Sequence, residues 1–467
     1  MARLIDYSEL EIIRDICDRI VECGGTPYYT GGFVRDEILG IRSKDLDVEV
    51  FGITSDRLAE AIKTFGNINA VGKSFGVIKL RIKEHEFDFT LPRRENRAGR
   101  GQRGFMVEPD PSMTTKEAAA RRDFTFNSLM KNVVTGEVID HFGGAADIAK
   151  GVIRHTSDYF GEDPLRVLRG MQFAGRFGWR VAPETAELCR SITDEHDEIT
   201  IERVWSEWWK WASKSAFPSK GLDFLDETGW ISHYPVLEKL KGVKQEEQWH
   251  PEGDVWVHTK YVCDEAAKIA TRENLDEMDR GALLFASLCH DIGKPGTTFC
   301  DTGRWRSPGH CEASVGLTDK FLKSINAPMR LTRRIKEMVG EHMIHVYSKT
   351  PTMRMARRLL ARLNHASIDD VMMTIEADHS GRPPLPGGLP EGAKTIREMA
   401  LEMGNRIEPL ILGRHLIEMG MKPGNDFGVI LKDAFKAQVE GSFEDIDSGL
   451  EWVREKFINN RGDLERD

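Results

Sequence analysis

Two carboxylates stand two residues apart in the segment DLDVEV. Asp45 and Asp47 alternate with the apolar Leu46, Val48 and Val50, which is the pattern of a half-buried strand. Because residues i and i+2 project to the same side of a strand, the two carboxylates would lie together and repel each other. Mg²⁺, a cation that prefers oxygen ligands, would offset this repulsion. A solvated strand face has the same pattern, so the pair alone does not decide between a metal site and a surface.

The residues around this pair could hold phosphate or complete the metal site. Gly31 and Gly32, in GGFVRD, predict a turn from a strand into a helix, where backbone N–H groups can receive phosphate oxygens. Arg35 follows one turn later and could donate two hydrogen bonds to a phosphate. Asp88, in the alternating segment FDFTL, is a candidate third carboxylate. A solvated hairpin residue would explain Asp88 equally well.

Imidazole and carboxylate side chains recur in the second half of the chain. His290 and Asp291 directly follow the apolar run LLFASLC. The remaining candidates lie before and after these two: His258, His310, His342 and Asp378. Each of them alone is also typical of an ordinary core or surface position. Together, these residue types suit a transition metal or Mg²⁺ with an open position for a water molecule that attacks a phosphoester.

Short strands mixed with helices are predicted to position the first set of residues. Hydrophobic periodicity predicts a helix over 8–22, a strand over 27–30, a helix ending near Gly40, and strands over 46–50 and within 77–91. From about residue 155 the pattern is helical, including 165–177, 201–211, 283–290 and 353–363. The predicted fold class is therefore α+β: a head of about 150 residues with a small mixed sheet, followed by an all-α body.

The composition fits a folded protein of several domains. The chain has 467 residues, of which 40% are hydrophobic and 30% charged, and 65 basic against 75 acidic residues give a net charge of −10. This charge excludes a histone-like wrapper but leaves open nucleic-acid binding through a local basic patch. Seven cysteines without a CxxC pair, an acidic start and the absence of a long apolar run predict a cytoplasmic protein without a membrane partner. The oligomeric state remains open.

Two basic segments are candidate RNA contacts. One is the glycine-rich RRENRAGRGQRG, Arg93–Gly104, which predicts a loop. The other interleaves basic residues with the apolar positions of predicted helices: Arg333, Arg334, Lys336, Arg354, Arg357, Arg358 and Arg362. Solvated surfaces have the same patterns, so RNA contact and simple solvation both remain open.

Five motifs in order resemble those of one family. The segment GGFVRDEILGIRSKDLDVEVFG resembles the signature of nucleotidyltransferases related to DNA polymerase β. Four further segments resemble successive motifs of class II CCA-adding tRNA nucleotidyltransferases: RRDFTFNSL (121–129), DHFGGAADIAKGVIRH (140–155), EDPLRVLRGMQFAGRFGW (162–179) and IERVWSEWWK (201–210). This resemblance, which covers nearly the whole chain, implies a polymerase β-like head. It also implies template-independent addition of C, C and A to the 3′ end of tRNA from CTP and ATP.

The resemblance assigns roles around the carboxylates. Asp45 and Asp47 would hold two Mg²⁺ ions for phosphoryl transfer, with Asp88 as the candidate third carboxylate. The remaining contacts of this site would be made to the triphosphate or ribose by Gly32, Arg35 and Arg122.

The resemblance also implies that side chains select the incoming base. Asp163 and Arg166, in EDPLR, would read cytosine and adenine, because a carboxylate accepts from an exocyclic amino group and a guanidinium donates to the ring. Arg169, one turn further, would support this pair of base-reading side chains or contact a phosphate. The same segment also has the pattern of a capped amphipathic helix, which is a purely structural interpretation of it.

The order of ligands in the second half resembles the HD superfamily. This resemblance implies that His258, His290, Asp291 and Asp378 hold a divalent metal, which would be Mg²⁺, Mn²⁺, Ni²⁺ or another transition metal. His310 and His342 would bind a second metal or a substrate phosphate. The implied activity is that of a phosphatase or a 2′,3′-cyclic phosphodiesterase. A relic domain retained for packing or tRNA contact is the alternative.

These motifs predict four regions and leave several functions to separate. The regions are a nucleotidyltransferase head (1–153), a helical nucleotide-selecting and tRNA-binding region (154–245), an HD domain (246–385) and a C-terminal helical region (386–467). A poly(A) polymerase, a CC-adding or an A-adding specialist, and an HD phosphohydrolase with an RNA-binding head are the alternative enzymes. The phosphohydrolase with an RNA-binding head is disfavoured, because binding alone needs no clustered carboxylates near RNA phosphates. A non-catalytic RNA-binding or scaffolding protein is a third alternative.

Overall fold

The chain forms two compact units. The computed structural model describes residues 7–43, 46–69, 76–83, 85–97, 105–346, 350–404 and 406–459. The units are Met1–Tyr234 and Pro235–Asp467. The boundary between them falls inside the predicted region 154–245, and the four predicted regions stay predictions.

The first unit is built on a seven-stranded mixed sheet with strand order β3-β4-β5-β2-β1-β8-β9. The strands of the unit are β1 (Thr26–Thr30), β2 (Asp47–Phe51), β3 (Asn67–Asn69), β4 (Val77–Ile82), β5 (His85–Thr90), β6 (Arg93–Arg97), β7 (Phe105–Pro109), β8 (Met130–Asn132), β9 (Val138–Ile139), β10 (Val152–Ile153) and β11 (Arg180–Val181). Strands β2 and β5 run parallel, whereas the other neighbours in the large sheet are antiparallel. The predicted small mixed sheet is thereby confirmed.

Among the residues that the structure describes, nine α-helices of the first unit cover this sheet and continue beyond it. They are α1 (Tyr7–Glu22), α2 (Gly32–Ile38), α3 (Ser55–Ile62), α4 (Thr115–Ala120), α5 (Gly144–Lys150), α6 (Leu165–Phe177), α7 (Pro183–Ser191), α8 (Ile201–Lys214) and α9 (Pro218–Glu227). Helix α1 packs on α3 and β1 through residues at helical spacing, of which Ile13, Ile16 and Ile20 are fully buried. Helices α6, α8 and α9 pack on one another around the fully buried Trp208 and Trp211. These bulky rings fix the helix that carries the EDPLR segment.

Gly144, the first residue of α5, lies against the backbone of the RRDFTFNSL segment. A Cβ added at Gly144 would be 2.2 Å from the carbonyl oxygen of Thr125. Because a backbone oxygen cannot rotate away, Gly144→Ala is expected to lower the free energy of unfolding by about 1–3 kcal/mol. Chemical denaturation tests this. In the control Gly161→Ala, the nearest atom to the added Cβ would be 3.9 Å away, and a change below about 0.5 kcal/mol is expected. Equal losses in both variants would contradict the prediction.

The second unit is almost entirely helical. Its elements are α10 (Pro235–Glu238), α11 (Val255–Arg272), α12 (Glu277–Cys289), α13 (Lys294–Thr297), β12 (Phe299–Asp301), β13 (Arg304–Arg306), α14 (His310–Ser324), α15 (Met329–Glu341), α16 (Met353–Arg362), α17 (Ile368–Ser380), α18 (Glu391–Glu402), α19 (Gly413–Glu418), α20 (Asn425–Glu440) and α21 (Ile446–Val453). Helices α11, α12, α15 and α17 pack against one another, and α14 packs on α15. The predicted helical body is confirmed, with the strand pairs β10–β11 and β12–β13 as short additions. In the described part of the chain, no helix is long and apolar enough to cross a membrane.

The basic helices of the second unit are neutralised within the unit. Seven basic residues of these helices were named above as a candidate RNA contact. Six of them form ion pairs: Arg334 with Asp370 and Asp279, Lys336 with Asp319, Arg354 and Arg358 with Glu440, Arg357 with Glu444, and Arg362 with Glu341. These pairs connect α16 to α15 and to α20 and the residues after it. They favour the structural interpretation of this segment over direct RNA contact.

Candidate active sites

Two carboxylates of the head lie opposite each other on neighbouring strands. In the parallel register of β2 and β5, Asp47 pairs with Asp88, so that their side chains project to the same face of the sheet. Asp47 is exposed and Asp88 is half-buried, while the flanking Val48 and Phe89 are buried. Lys79 on β4 lies 3.3 Å from Asp88 through its Nζ. Asp45 is outside the described residues. The register thus brings one predicted metal ligand next to the candidate third carboxylate, an oxygen donor set that fits Mg²⁺.

Arg122 places a permanent positive charge beside these carboxylates. Its Nη2 donates to Oε2 of the buried Glu49 at 2.9 Å. Burial lowers the pKa of Arg122, but the carboxylates of Glu49 and Asp47 outweigh this effect and raise it above its usual value. A Cβ at Gly31, whose φ is +63°, would be 3.5 Å from Nη1 of Arg122. The guanidinium therefore lies at the turn that precedes α2, where an anion would be attracted.

Gly32 is the first residue of α2, and Arg35 on that helix is almost fully buried. Both Nε and Nη2 of Arg35 donate to Oδ1 of Asp36, at 2.8 and 2.6 Å, and Nη1 donates to Oδ1 of Asn127 at 2.8 Å. A Cβ at Gly32 would be 3.4 Å from Nη2 of Arg35. The sequence predicted that Arg35 donates two hydrogen bonds to a phosphate, but its Nε and Nη2 groups donate to Asp36 instead. A phosphate contact from Arg35 stays a prediction and would require these donors to change partners.

Arg169 belongs to the same polar network. Its Nε donates to Oδ2 of the buried Asp123 at 2.7 Å, and Nδ2 of Asn127 donates to the other oxygen of Asp123 at 3.0 Å. Burial raises the pKa of Asp123, but the charge of Arg169 and the hydrogen bonds that Asp123 accepts outweigh it and hold the pKa below its usual value. A continuous chain of contacts therefore runs from Arg169 through Asp123 and Asn127 to Arg35, and connects α6 with α2.

The predicted base-reading residues are held by different partners at the start of α6. Asp163 accepts from the N–H of Leu165 at 3.2 Å and from Nη2 of Arg203, on α8, at 2.7 Å. Arg166 donates to the backbone oxygens of Tyr159 and Arg121, at 2.5 and 2.8 Å. The carboxylate is therefore oriented by a second arginine, whereas the guanidinium is oriented by backbone.

In the second unit, the structure brings the ligands predicted in the second half of the chain together at the ends of five helices, α11, α12, α14, α15 and α17. Nε2 of His258 lies 3.1 Å from Oδ1 of Asp378 and 3.2 Å from Nε2 of His290. Nε2 of His290 in turn lies 3.2 Å from Oδ2 of Asp291. These four residues, together with His310 and His342, are referred to below as the histidine cluster. A cavity of about 90 Å³ beside them is lined by Asp291, Asp378 and both of the additional histidines.

Backbone carbonyls fix the protonation of three of these imidazoles. Nδ1 of each lies 2.7 Å from a carbonyl oxygen: His290 with Ser287, His310 with Ser307 and His342 with Val339. Because a carbonyl oxygen only accepts, each Nδ1 carries the proton and a neutral ring keeps a lone pair on Nε2. Nδ1 of His258 lies 2.8 Å from Oε1 of Glu252, which orients the ring in the same way. The Nε2 atoms of His290, His310 and His342 are thus prepared to bind a cation. Burial lowers the pKa of His258, but its hydrogen bonds to Asp378 and Glu252 outweigh this effect and raise the pKa to about 9, so a metal would have to displace its proton.

Two buried atoms of the histidine cluster have no hydrogen-bond partner. They are Nε2 of His342 and Oδ1 of Asp291. Burial, with a contribution from the neighbouring His290, lowers the pKa of His342 to about 3, so this imidazole is neutral. Buried polar atoms without a hydrogen-bond partner lower the stability of the folded state unless a bound ion or molecule contacts them. Together with the donor set of imidazole and carboxylate, they fit a bound divalent metal.

Comparison with known proteins decides the family. Residues 27–154 match the model of the poly A polymerase head domain. The chain is 35% identical over 375 residues to the multifunctional CCA protein of Vibrio parahaemolyticus, an alignment that covers 76% of this chain and 85% of that protein. It is 40% identical over 273 residues to the protein of the same name from Xanthomonas campestris pv. campestris strain B100, covering 57% and 63%.

The chain belongs to the multifunctional CCA protein family. The predicted resemblance to class II CCA-adding tRNA nucleotidyltransferases is thereby confirmed. Solved structures show the same fold: the Bacillus stearothermophilus CCA-adding enzyme in complex with CTP matches with a TM-score of 0.65, at 19% identity over 98% of this chain and 99% of that one. The Thermotoga maritima CCA-adding enzyme complexed with tRNA_CCA matches with a TM-score of 0.60, at 22% identity over 97% and 96%.

Sequence reasoning missed the residues that hold the family's motif residues in place. Glu49 could have been found, because it continues the sequence alternation from which Asp45 and Asp47 were predicted to share one face. Glu252 lies six residues before His258 but gives no periodic signal, and Arg203 lies forty residues from its partner Asp163. The predicted loop Arg93–Gly104 is wrong at its start, because Arg93–Arg97 form strand β6, which pairs with β7. The rest of the segment, including Arg100 and Arg103, is outside the described residues.

Proposed function

We propose that the first unit adds C, C and A to the 3′ end of tRNA, using CTP and ATP. The observation that carries this proposal is the register of Asp47 with Asp88, beside the charged Arg122. The names of the relatives and the CTP, ATP and tRNA complexes of the structural neighbours support it. The proposed reaction is attack of the terminal ribose 3′-hydroxyl on the α-phosphorus of the nucleotide, with pyrophosphate leaving.

The carboxylates of the sheet would hold the metal ions of this reaction. We assign Asp45 and Asp47 as ligands of two Mg²⁺ ions, and Asp88 as the third carboxylate. Bound Mg²⁺ supplies a lower pKa for the attacking hydroxyl and neutralises charge on the triphosphate. Lys79, 3.3 Å from Asp88, balances part of the carboxylate charge when no cation is present. Arg122 would bind the triphosphate or ribose, with the turn at Gly32 admitting the ligand close to the backbone.

Asp163 and Arg166 would select the base. Cytosine and adenine each present an exocyclic amino group for the carboxylate and a ring acceptor for the guanidinium. Guanine and uracil would leave one of these groups unsatisfied, which costs affinity. In this proposal Arg169 and its partner Asp123 brace the helix that carries the two base-reading side chains.

Arg203 is a positioning residue in this proposal, because it holds one oxygen of Asp163. Arg203→Ala is expected to lower the preference for CTP and ATP over UTP and GTP about 10–100-fold, since a charge-assisted hydrogen bond is worth about 1.5–3 kcal/mol. The KM for CTP and ATP should rise more than kcat falls. Single-nucleotide incorporation kinetics with all four nucleotides measure both. The control is Arg190→Ala, which removes an arginine bonded to the backbone oxygen of Glu227 in the same unit. An unchanged preference would refute this role.

Nucleotide addition to defined transcripts tests the transferase proposal. Purified protein and Mg²⁺ are incubated with tRNA transcripts ending before C, CC or CCA, and products are resolved at single-nucleotide length. Ordered growth by C, C and A that then stops is expected. Growth by C and C alone, or by A alone, would indicate a specialist, and long runs of A a poly(A) polymerase. Absence of incorporation would remove the transferase function.

We propose a second activity, phosphoester hydrolysis of the HD type, for the histidine cluster. His258, His290, Asp291 and Asp378 would hold a divalent metal, which supplies an activated water and polarises a phosphoryl oxygen. The partnerless buried atoms of His342 and Asp291 support it over a relic domain, because packing alone would not favour them. Hydrolysis of a 2′,3′-cyclic nucleotide and of a phosphomonoester, after chelation and reloading with Mg²⁺, Mn²⁺, Ni²⁺ or another transition metal such as Zn²⁺, tests it. No hydrolysis with any metal would leave the relic interpretation.

A further inference from the structure

A thiol lies among the histidines of the second unit. Cys311 follows His310 at the start of α14 and is 7% exposed. Its Sγ is 3.5 Å from Nε2 of His310. One ligand atom each from His310, Cys311 and His342 lie within 4.8 Å of one another. This group is separate from the one formed by His258, His290 and Asp378, whose ligand atoms are also within 4.8 Å of one another.

The remaining oxygen of Asp291 faces this thiol-containing group. Oδ1 of Asp291 is 3.4 Å from Nε2 of His310 and 4.0 Å from Nε2 of His342. Oδ2 of the same carboxylate is 3.2 Å from Nε2 of His290 and 2.6 Å from Nζ of Lys294. Each oxygen of Asp291 therefore serves a different group, and the partnerless oxygen is the one that faces Cys311's neighbours.

We propose that His310, Cys311, His342 and Oδ1 of Asp291 form a second metal position that takes a thiolate-binding divalent cation such as Zn²⁺. This inference rests on the proposed phosphohydrolase site and adds the identity of its second metal. Two imidazole nitrogens, one sulfur and one carboxylate oxygen are a donor set typical of four-coordinate zinc. In such a tetrahedron the ligand atoms are about 3.4–3.6 Å apart, given the usual zinc bond lengths. Nε2 of His310 lies 3.4 Å from Oδ1 of Asp291 and 3.5 Å from Sγ of Cys311, and Nε2 of His342 lies 4.0 Å from Oδ1 of Asp291. These separations come close to the tetrahedral values.

The geometry of the two histidines supports the assignment independently of the thiol. Their Nδ1 atoms donate to the carbonyl oxygens of Ser307 and Val339, which directs the Nε2 lone pairs towards Asp291 and Cys311. Nε2 of His342 has no other partner, so a cation would satisfy it. The thiol loses its proton to solvent when the metal binds. Because the resulting thiolate is a soft ligand, this position would reject Mg²⁺ and accept zinc or cobalt.

Metal titration of the full-length chain tests the proposal. The protein is stripped with a chelator and titrated with Zn²⁺, and bound metal is counted after removal of free ions. Two ions per chain are expected in the wild type. In Cys311→Ser one ion should remain tight, and the other should bind at least about 10–100-fold more weakly, since loss even of a supporting residue costs that much. The exposed Cys300 provides the control Cys300→Ser, which should keep both ions.

Cobalt provides a readout that does not depend on hydrolysis. The Co²⁺-loaded wild type and Cys300→Ser should show a sulfur-to-cobalt charge-transfer band in the near ultraviolet, and Cys311→Ser should lack it. Two tight ions in Cys311→Ser with the band retained, or a single ion without the band in the wild type, would overturn the second position alone. A wild type that binds no divalent metal would overturn the phosphohydrolase proposal as well. Near-ultraviolet circular dichroism of the stripped variants excludes misfolding as the cause of a lost ion.

Discussion

Asparagine in place of Asp47 is expected to slow nucleotide addition at least about 10³-fold. The substitution keeps the size of the side chain but removes a proposed metal-binding charge, and metal ions supply several kcal/mol of transition-state stabilisation. Hydrolysis by the histidine cluster should be unchanged, because those residues belong to the second unit. Rapid-quench incorporation of a single CMP into a transcript lacking CCA measures the rate. We expect Asp88→Asn, in register with Asp47, to show a loss of similar size.

Glu86→Gln is the matched control for both substitutions. Glu86 lies two residues before Asp88 on β5, projects to the same face and bonds to Lys79, so the variant removes an equal charge from the same strand. Its rate should stay within about threefold of the wild type, since an exposed pair contributes little. If Glu86→Gln slowed nucleotide addition as much as Asp47→Asn, the effect would come from removing any negative charge from these strands and not from the loss of a metal ligand. Retention of a tenth of the activity by Asp47→Asn would remove this residue from the metal site.

The variant His290→Ala plus Asp291→Ala is expected to lose phosphoester hydrolysis and to keep nucleotide addition. Loss of both side chains removes an imidazole and the carboxylate that faces two groups of ligands, so phosphoester hydrolysis should fall at least about 10³-fold. Metal bound per chain should fall in parallel. Addition of C, C and A should remain within about twofold of the wild type. Hydrolysis of a cyclic nucleotide, metal counting and transcript extension on the same preparation provide the three measurements.

His365→Ala is a suitable control for the histidine cluster. His365 is a partly exposed imidazole of the same unit and bonds to Glu337, which also accepts from three backbone N–H groups and therefore keeps its place. Hydrolysis should be unaffected in this variant. If the variant His290→Ala plus Asp291→Ala still hydrolysed substrate and still bound metal, the cluster would not be the site. A parallel loss of transcript extension would instead indicate global unfolding.

The sequence predicted the elements that carry short-range patterns. The alternation around Asp47 predicted β2, and the apolar periodicity predicted α1 and α6 to within a residue of their observed bounds. It could not predict the pairing of β2 with β5, because register depends on contacts between segments about forty residues apart. The strand pairs β10–β11 and β12–β13 were missed because two or three residues are too few to show a period.

Side-chain partners were harder to predict than ligand types. Arg35 was predicted as a site residue from its motif, but its burial depends on Phe173 and Phe177, whose rings lie 5.4 and 5.1 Å from its guanidinium. Those rings come from a helix 130 residues later, and no local pattern connects them to GGFVRD. The second-unit histidines, by contrast, were found from residue type and order alone. Their lone-pair directions depend on carbonyl groups, which a sequence does not display.

The acidic residues at and after the end of α20 act as built-in counterions for α16. Glu440 and Glu444 bond to Arg354, Arg357 and Arg358, so the folded second unit presents these arginines already neutralised. Proteolysis that removed the chain from α20 onward would leave three arginines without these carboxylates on one helix. Such a fragment would bind RNA more tightly and with a steeper salt dependence than the intact protein, through charge alone. Strong RNA binding by a truncated form would therefore report the loss of a counterion and not a native tRNA contact.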